Sequence, residues 1–155
     1  MATARLPNDE LVGHILAAAS HLANQSKGAL TLEKLLAGLY IAGADHLQMY
    51  VDNGSALTRF VIVKCGIKMP AWFYLLRIHE TLRAGQGLGV QRVAPEVTEV
   101  LENASSWASK IHRSRVTLTD LLLAIEASEQ FMLCREFIAA GIACQRIRDD
   151  YVRSG

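Results

Sequence analysis

One stretch of this chain is written twice, and that limits what it can fold into more than any other feature. Slid by 86 residues, Thr31-Leu-Glu-Lys-Leu-Leu-Ala-Gly-Leu39 lies over Thr117-Leu-Thr-Asp-Leu-Leu-Leu-Ala-Ile125. The same offset places Ile15 on Leu101, Ala18 on Ala104 and Leu30 on Val116. One further residue of offset brings Tyr50-Val51 onto Phe137-Ile138, Gly54 onto Gly141, Arg59 onto Arg146 and Phe60 onto Ile147. A single gap thus registers two halves, the expectation being a supersecondary unit used twice, each copy burying its apolar face against the other.

The unit is helical. Leu11, Val12, Ile15, Leu16, Ala18, Ala19 and Leu22 recur at three- and four-residue spacing, one stripe of an amphipathic helix. Pro7-Asn8-Asp9 supplies its N-cap and Gln25-Ser-Lys-Gly28 its stop. Thr31 caps a second helix through Tyr40, since its hydroxyl can satisfy an orphan N–H. A third is expected over about 45–52, ended by Asn53-Gly54, and a fourth from Ser55 through Leu57, Phe60 and Val61. In the second half Pro95 opens a helix carrying Val97, Val100, Leu101, Ala104, Trp107, Ala108 and Ile111. Thr117 and Asp120 form a capping-box-like start before Leu121, Leu122, Leu123 and Ile125. A helix from about Gln130 stops at Gly141, and a last one carries Ile142, Ile147, Tyr151 and Val152.

The expectation is an all-α single domain over 1–155: repeat one at about 6–63, a connector at about 64–91 and repeat two at about 92–152, each repeat a four-helix unit and the two pseudo-symmetric. The connector holds an extra helix, Ala71-Trp-Phe-Tyr-Leu-Leu-Arg-Ile-His-Glu80.

Composition narrows the class. The chain is 155 residues with 51% apolar and 20% charged residues, which disfavours disorder. A net charge of +1 lacks the basic excess that drives phosphate binding, so no nucleic-acid partner is expected. The longest apolar run, Leu35 to Ala44, is too short to span a bilayer, the N-terminus turns acidic at Asp9-Glu10, and three cysteines make no disulfide framework. A cytoplasmic protein without a membrane partner is expected.

Chemistry-bearing constellations are sparse. No G-x-x-x-x-G-K-[ST] phosphate cradle occurs, and Gly85-Gln-Gly87-Leu-Gly89 follows a helix and not a strand, so it reads as a hinge. His14, His21, His46, His79 and His112 have no zinc-ligand spacing, Cys134 and Cys144 read as buried thiols, and Ser105-Ser106 has no base in view. No enzyme activity, cofactor or metal is expected.

The second repeat carries Val100-Leu-Glu-Asn-Ala104-Ser-Ser-Trp-Ala108, then Val116-Thr-Leu-Thr-Asp-Leu-Leu-Leu-Ala-Ile125, then Phe137-Ile-Ala-Ala-Gly141-Ile142. This tandem pattern resembles the N-terminal domain of the Clp-type AAA+ unfoldases, over roughly 6–63 and 92–152. The resemblance implies two pseudo-symmetric helical bundles that dock adaptors and substrates for an ATPase ring, downstream in a longer polypeptide or as a separate subunit. Two features depart from it. The family's Glu-His-Leu-Leu at the head of each second helix is here Glu33-Lys34-Leu35-Leu36 and Thr119-Asp120-Leu121-Leu122. With Thr119 in place of an acid, the recognition of phosphorylated arginine known in some members does not carry over. The connector is also longer than usual.

The expected function is therefore protein binding. An unfolded segment, an amphipathic helix or an adaptor would lie in a groove between the bundles. Candidate contacts are Glu33, Lys34, Asp120, and the basic turn at Arg113 and Arg115. Trp72, Phe73 and Tyr74 join them, because three consecutive aromatics about 100° apart on a helix cannot all face one core. Lys64, Lys68, Arg77 and Arg83 against Glu80 make the connector locally positive, suited to an acidic peptide. The competing class is a helical regulator that binds nucleic acid or a small ligand through Arg113–Arg115.

Overall fold

A computed structural model describes residues 5–26, 28–83 and 92–154. The fold is all-α. Its helices are α1 (Glu10–Gln25), α2 (Leu32–Leu47), α3 (Gly54–Cys65), α4 (Ala71–Arg83), α5 (Pro95–Lys110), α6 (Leu118–Ala127), α7 (Met132–Ala139) and α8 (Cys144–Ser154). Among the described residues β-pairing is limited to isolated bridges, and no helix is long and apolar enough to cross a membrane. The Gly85–Gly89 hinge lies outside the described residues.

The helix starts follow the sequence. The Asp9 carboxylate accepts from the Val12 N–H at 2.8 Å, Thr31 Oγ1 faces the Lys34 N–H at 3.4 Å, and Pro95 opens α5. The expected separate helix at 45–52 is absent: α2 runs unbroken to Leu47 and tightens into a 3-10 turn at Gln48–Tyr50. Asn53-Gly54 does not stop a helix but starts one, with the Asn53 side chain accepting from the Ala56 N–H at 3.1 Å. The first half thus has three α-helices and a 3-10 turn where four helices were expected. Gly38 lies inside α2 for a packing reason. A Cβ there would sit 2.7 Å from the Ala19 nitrogen and the Ile15 oxygen of α1, so only glycine allows so close an approach.

Where the halves meet, the segments leading into helices pair in reciprocal fashion. Asp9 N–H donates to Val116 O and Val116 N–H to Pro7 O, both at 2.9 Å, joining the approaches to α1 and α6. Leu30 N–H donates to Arg92 O and Ala94 N–H to Leu30 O, both at 3.0 Å, joining the approaches to α2 and α5. At a third junction Asp52 N–H donates to Gly141 O (2.7 Å) and Ala143 N–H to Tyr50 O (2.6 Å). Gly141 (φ 128) lies so close to Asn53 that a Cβ would fall 2.9 Å from its backbone, a second place that requires glycine.

Val12, Ile15, Ala19 and Ala23 of α1 and Val97, Val100, Ala104 and Ala108 of α5 are all fully buried. In the turn before α6, His112 takes a left-handed φ of 60. Beyond α2, the third junction is reciprocal only if Tyr50 is matched with Gly141 and Asp52 with Ala143. That pairing corresponds to an offset of 91, against the 87 expected there. The two offsets, 87 and 91, differ by about one helical turn, which apolar periodicity alone cannot resolve. Ile142 accordingly precedes α8, opposite Val51, and is not part of it.

One hydrophobic cluster runs through both halves and takes in Ile67, Tyr74 and Ile78 around α4. Phe60 and Phe137 meet edge to face across the halves, ring centroids 5.7 Å apart.

Candidate functional site

The start of α6 is locked. The Asp120 carboxylate is fully buried and accepts from the Thr117 N–H (2.9 Å) and hydroxyl (3.0 Å). Arg113 Nε lies 3.2 Å from its Oδ2, off the N–H axis, and Nη2 lies 3.5 Å from Oδ1. Two of the candidate contacts, Arg113 and Asp120, are therefore paired with each other, while Arg115 of the same basic turn is exposed. Thr119 is covered as well: the Tyr50 hydroxyl stands 3.4 Å from its Oγ1 and donates to Asp150 Oδ2 at 2.5 Å. Burial, followed by that bond to Asp150, pushes the Tyr50 hydroxyl above its usual pKa of 10.0.

The start of α2 is open. Glu33 is exposed, and Lys34 is half-buried with its ammonium donating to Ala29 O at 3.2 Å. Glu33 borders a groove of about 480 Å³ between the halves, lined also by Glu96 on α5 and by Phe131, Met132 and Leu133 at the head of α7. Met132 is 74% exposed there. At the end of α3, burial and then the Glu33 charge push the Cys65 thiol up to about 12, away from the thiolate that reactivity requires. Lys64, one residue earlier, reaches Glu136 of α7 at 3.4 Å.

The three aromatics divide as helix geometry requires. Tyr74 is buried, its hydroxyl accepting from the Lys68 and Met69 N–H groups at 3.3 and 3.4 Å. Phe73 is half-buried under the Arg77 guanidinium (5.1 Å), and Trp72 is 63% exposed.

The groove unites Glu33 with residues that sequence reasoning passed over. Phe131, Met132 and Leu133 read as an ordinary helix start, and nothing in their spacing marks Met132 as outward-facing. Glu96 signals only a favourable acid in the first turn of α5. Tyr50, which stands against Thr119, and its acceptor Asp150 lie 100 residues apart in the chain.

Elsewhere, Ser105 Oγ accepts from the Leu6 N–H at 2.8 Å, a structural bond. Cys65, Cys134 and Cys144 are free thiols, and burial pushes Cys134 up to about 11. Among the described residues no three His, Cys, Asp or Glu side chains converge as a metal site would need. No family model and no curated protein matches the chain.

Proposed function

We propose that this chain is a protein-binding module of the kind found at the N-terminus of Clp-type unfoldases, docking a segment of an adaptor or unfolded client for an AAA+ ATPase. In this reading it performs no catalysis itself. The observation that carries it is the groove between the halves, where an exposed Met132 and the half-buried Phe131 and Leu133 lie beside the carboxylates of Glu33 and Glu96. An apolar floor with two acids at its margin suits an extended or helical segment that places apolar anchors inward and a cation toward Glu33. The engagement of Arg113 by Asp120 weighs against the rival nucleic-acid reading, because it removes one cation from the turn that reading needs.

The test is binding of a fluorescently labelled, permanently unfolded model protein, followed by anisotropy. Met132→Glu is expected to weaken binding about tenfold and Glu33→Lys less, with circular dichroism unchanged. Absence of binding by the parent chain, or binding by both variants as tight as the parent's, overturns the assignment. Salt-sensitive capture of duplex DNA in its place would favour the rival.

A further inference from the structure

Helix α4 is apolar on two faces, and among the described residues only one of them packs on the core. Tyr74 and Ile78, each 8% exposed, point inward against α1 and α2. Trp72, Leu75 and Leu76 point outward at 63%, 44% and 52% exposure, continued by Met69 in the turn before the helix. Spacing of i, i+3 and i+4 makes these outer residues one ridge, the shape that packs into the groove of a second helix. A helix that only completed the core would carry polar residues there.

The rim decides what can cover this ridge. Lys68 and Arg77 are exposed on the same segment, and Arg77 is steadied over the Phe73 ring. Lys64 stands at the end of α3, engaged with Glu136, and Glu80 is the exposed acid of the helix. A second copy laid on this face would bring two sets of cations together, which is unfavourable. A segment carrying carboxylates would not.

We infer that the outer face of α4 docks an acidic amphipathic helix of a partner protein. Apolar residues of that helix cover Trp72, Leu75 and Leu76, and its carboxylates lie toward Lys68 and Arg77. This surface is separate from the groove at Met132, so its fate does not depend on the reading above.

Two synthetic helical peptides with identical leucine ridges serve as probes, one with glutamates on its polar face and one with lysines. Their anisotropy is measured with the full chain at low and high salt. The glutamate peptide is expected to bind, less tightly as salt rises, and the lysine peptide to bind at least tenfold more weakly. Trp72→Ala, at an exposed position that leaves the core intact, is expected to cost about tenfold, Lys68→Glu several-fold, and Met132→Glu nothing. Equal affinity for both peptides, no binding of either, or indifference to Trp72→Ala overturns the inference. So does a Trp72-dependent dimer in sedimentation, or Trp72-dependent binding to anionic vesicles.

Discussion

The starts of α2 and α6 share a backbone plan and differ in everything their side chains do. Each begins with a threonine cap followed by Leu32-Glu33-Lys34 or Leu118-Thr119-Asp120, and each places its next leucines in the common core. At α6 the third residue is a fully buried carboxylate tied to the cap and to Arg113, and the second is covered by Tyr50. At α2 the third residue is a lysine reaching out to Ala29 O, and the second, Glu33, opens on a groove. The comparison teaches that one local motif can close a seam at one end and leave it accessible at the other. Two side chains and the elements that happen to pack on them decide which.

The largest effect that would break this contrast lies in stability. Asp120→Ala strands the Arg113 charge and removes the cap, and is expected to lower unfolding free energy by about 3 kcal/mol. Lys34→Ala at the matching place is expected to cost about 0.5 kcal/mol or less. Urea unfolding of both variants checks this; equal losses would mean that the two starts are equivalent after all.

An intermediate effect separates the two ends by pH. Because the folded state raises the Tyr50 pKa, its contribution is complete below pH 10 and is lost as pH rises through the elevated value. Tyr50→Phe is expected to cost about 1–2 kcal/mol at neutral pH and to flatten the alkaline decline. On the other side, His21 of α1 is buried with Nε2 lacking a hydrogen bond; burial, and then the Arg77 charge, lower its pKa below 6.5. Its contribution is present above pH 6.5 and is lost as pH falls through the depressed value. His21→Leu is expected to flatten the acid limb and leave the alkaline one unchanged. Thermal melts across pH decide it, and a variant that altered the opposite limb would refute the assignment of alkali to the α6 seam and acid to the α1–α4 side.

The smallest effect is on binding alone. Glu33→Thr makes the open start resemble the closed one without touching the core. It is expected to leave stability unchanged and to weaken capture of a lysine-bearing apolar peptide about threefold. An unchanged affinity would remove Glu33 from the site.

Much of the architecture was legible in the residues because the signals are local. Apolar spacing sets the helix faces, and Asp9, Thr31, Pro95 and Thr117 mark helix starts by capping chemistry that needs only the next three residues. That Trp72, Phe73 and Tyr74 do not all face the core followed from helix geometry; which of them is buried did not. Illegible were the continuation of α2 past Gly43 and the reversal of Asn53-Gly54 from stop to start. Glycine and asparagine serve either role, and the residues that pack against them, Ile15 on Gly43 and Gly141 on Asn53, are distant in sequence.

The sequence by itself determined most of the helices, the starts at Asp9, Thr31, Pro95 and Thr117 and the buried stripes of α1, α5 and α6, since these follow from backbone hydrogen bonding and the burial of periodic apolar residues. Only the tertiary structure decided that Asp120 is sealed and Glu33 open, that Met132 faces outward beside Glu96, and that the ridge of α4 is left bare. Those outcomes depend on contacts between segments as much as 100 residues apart, such as Tyr50 with Asp150, and no short-range pattern encodes which distant side chain will cover a given surface.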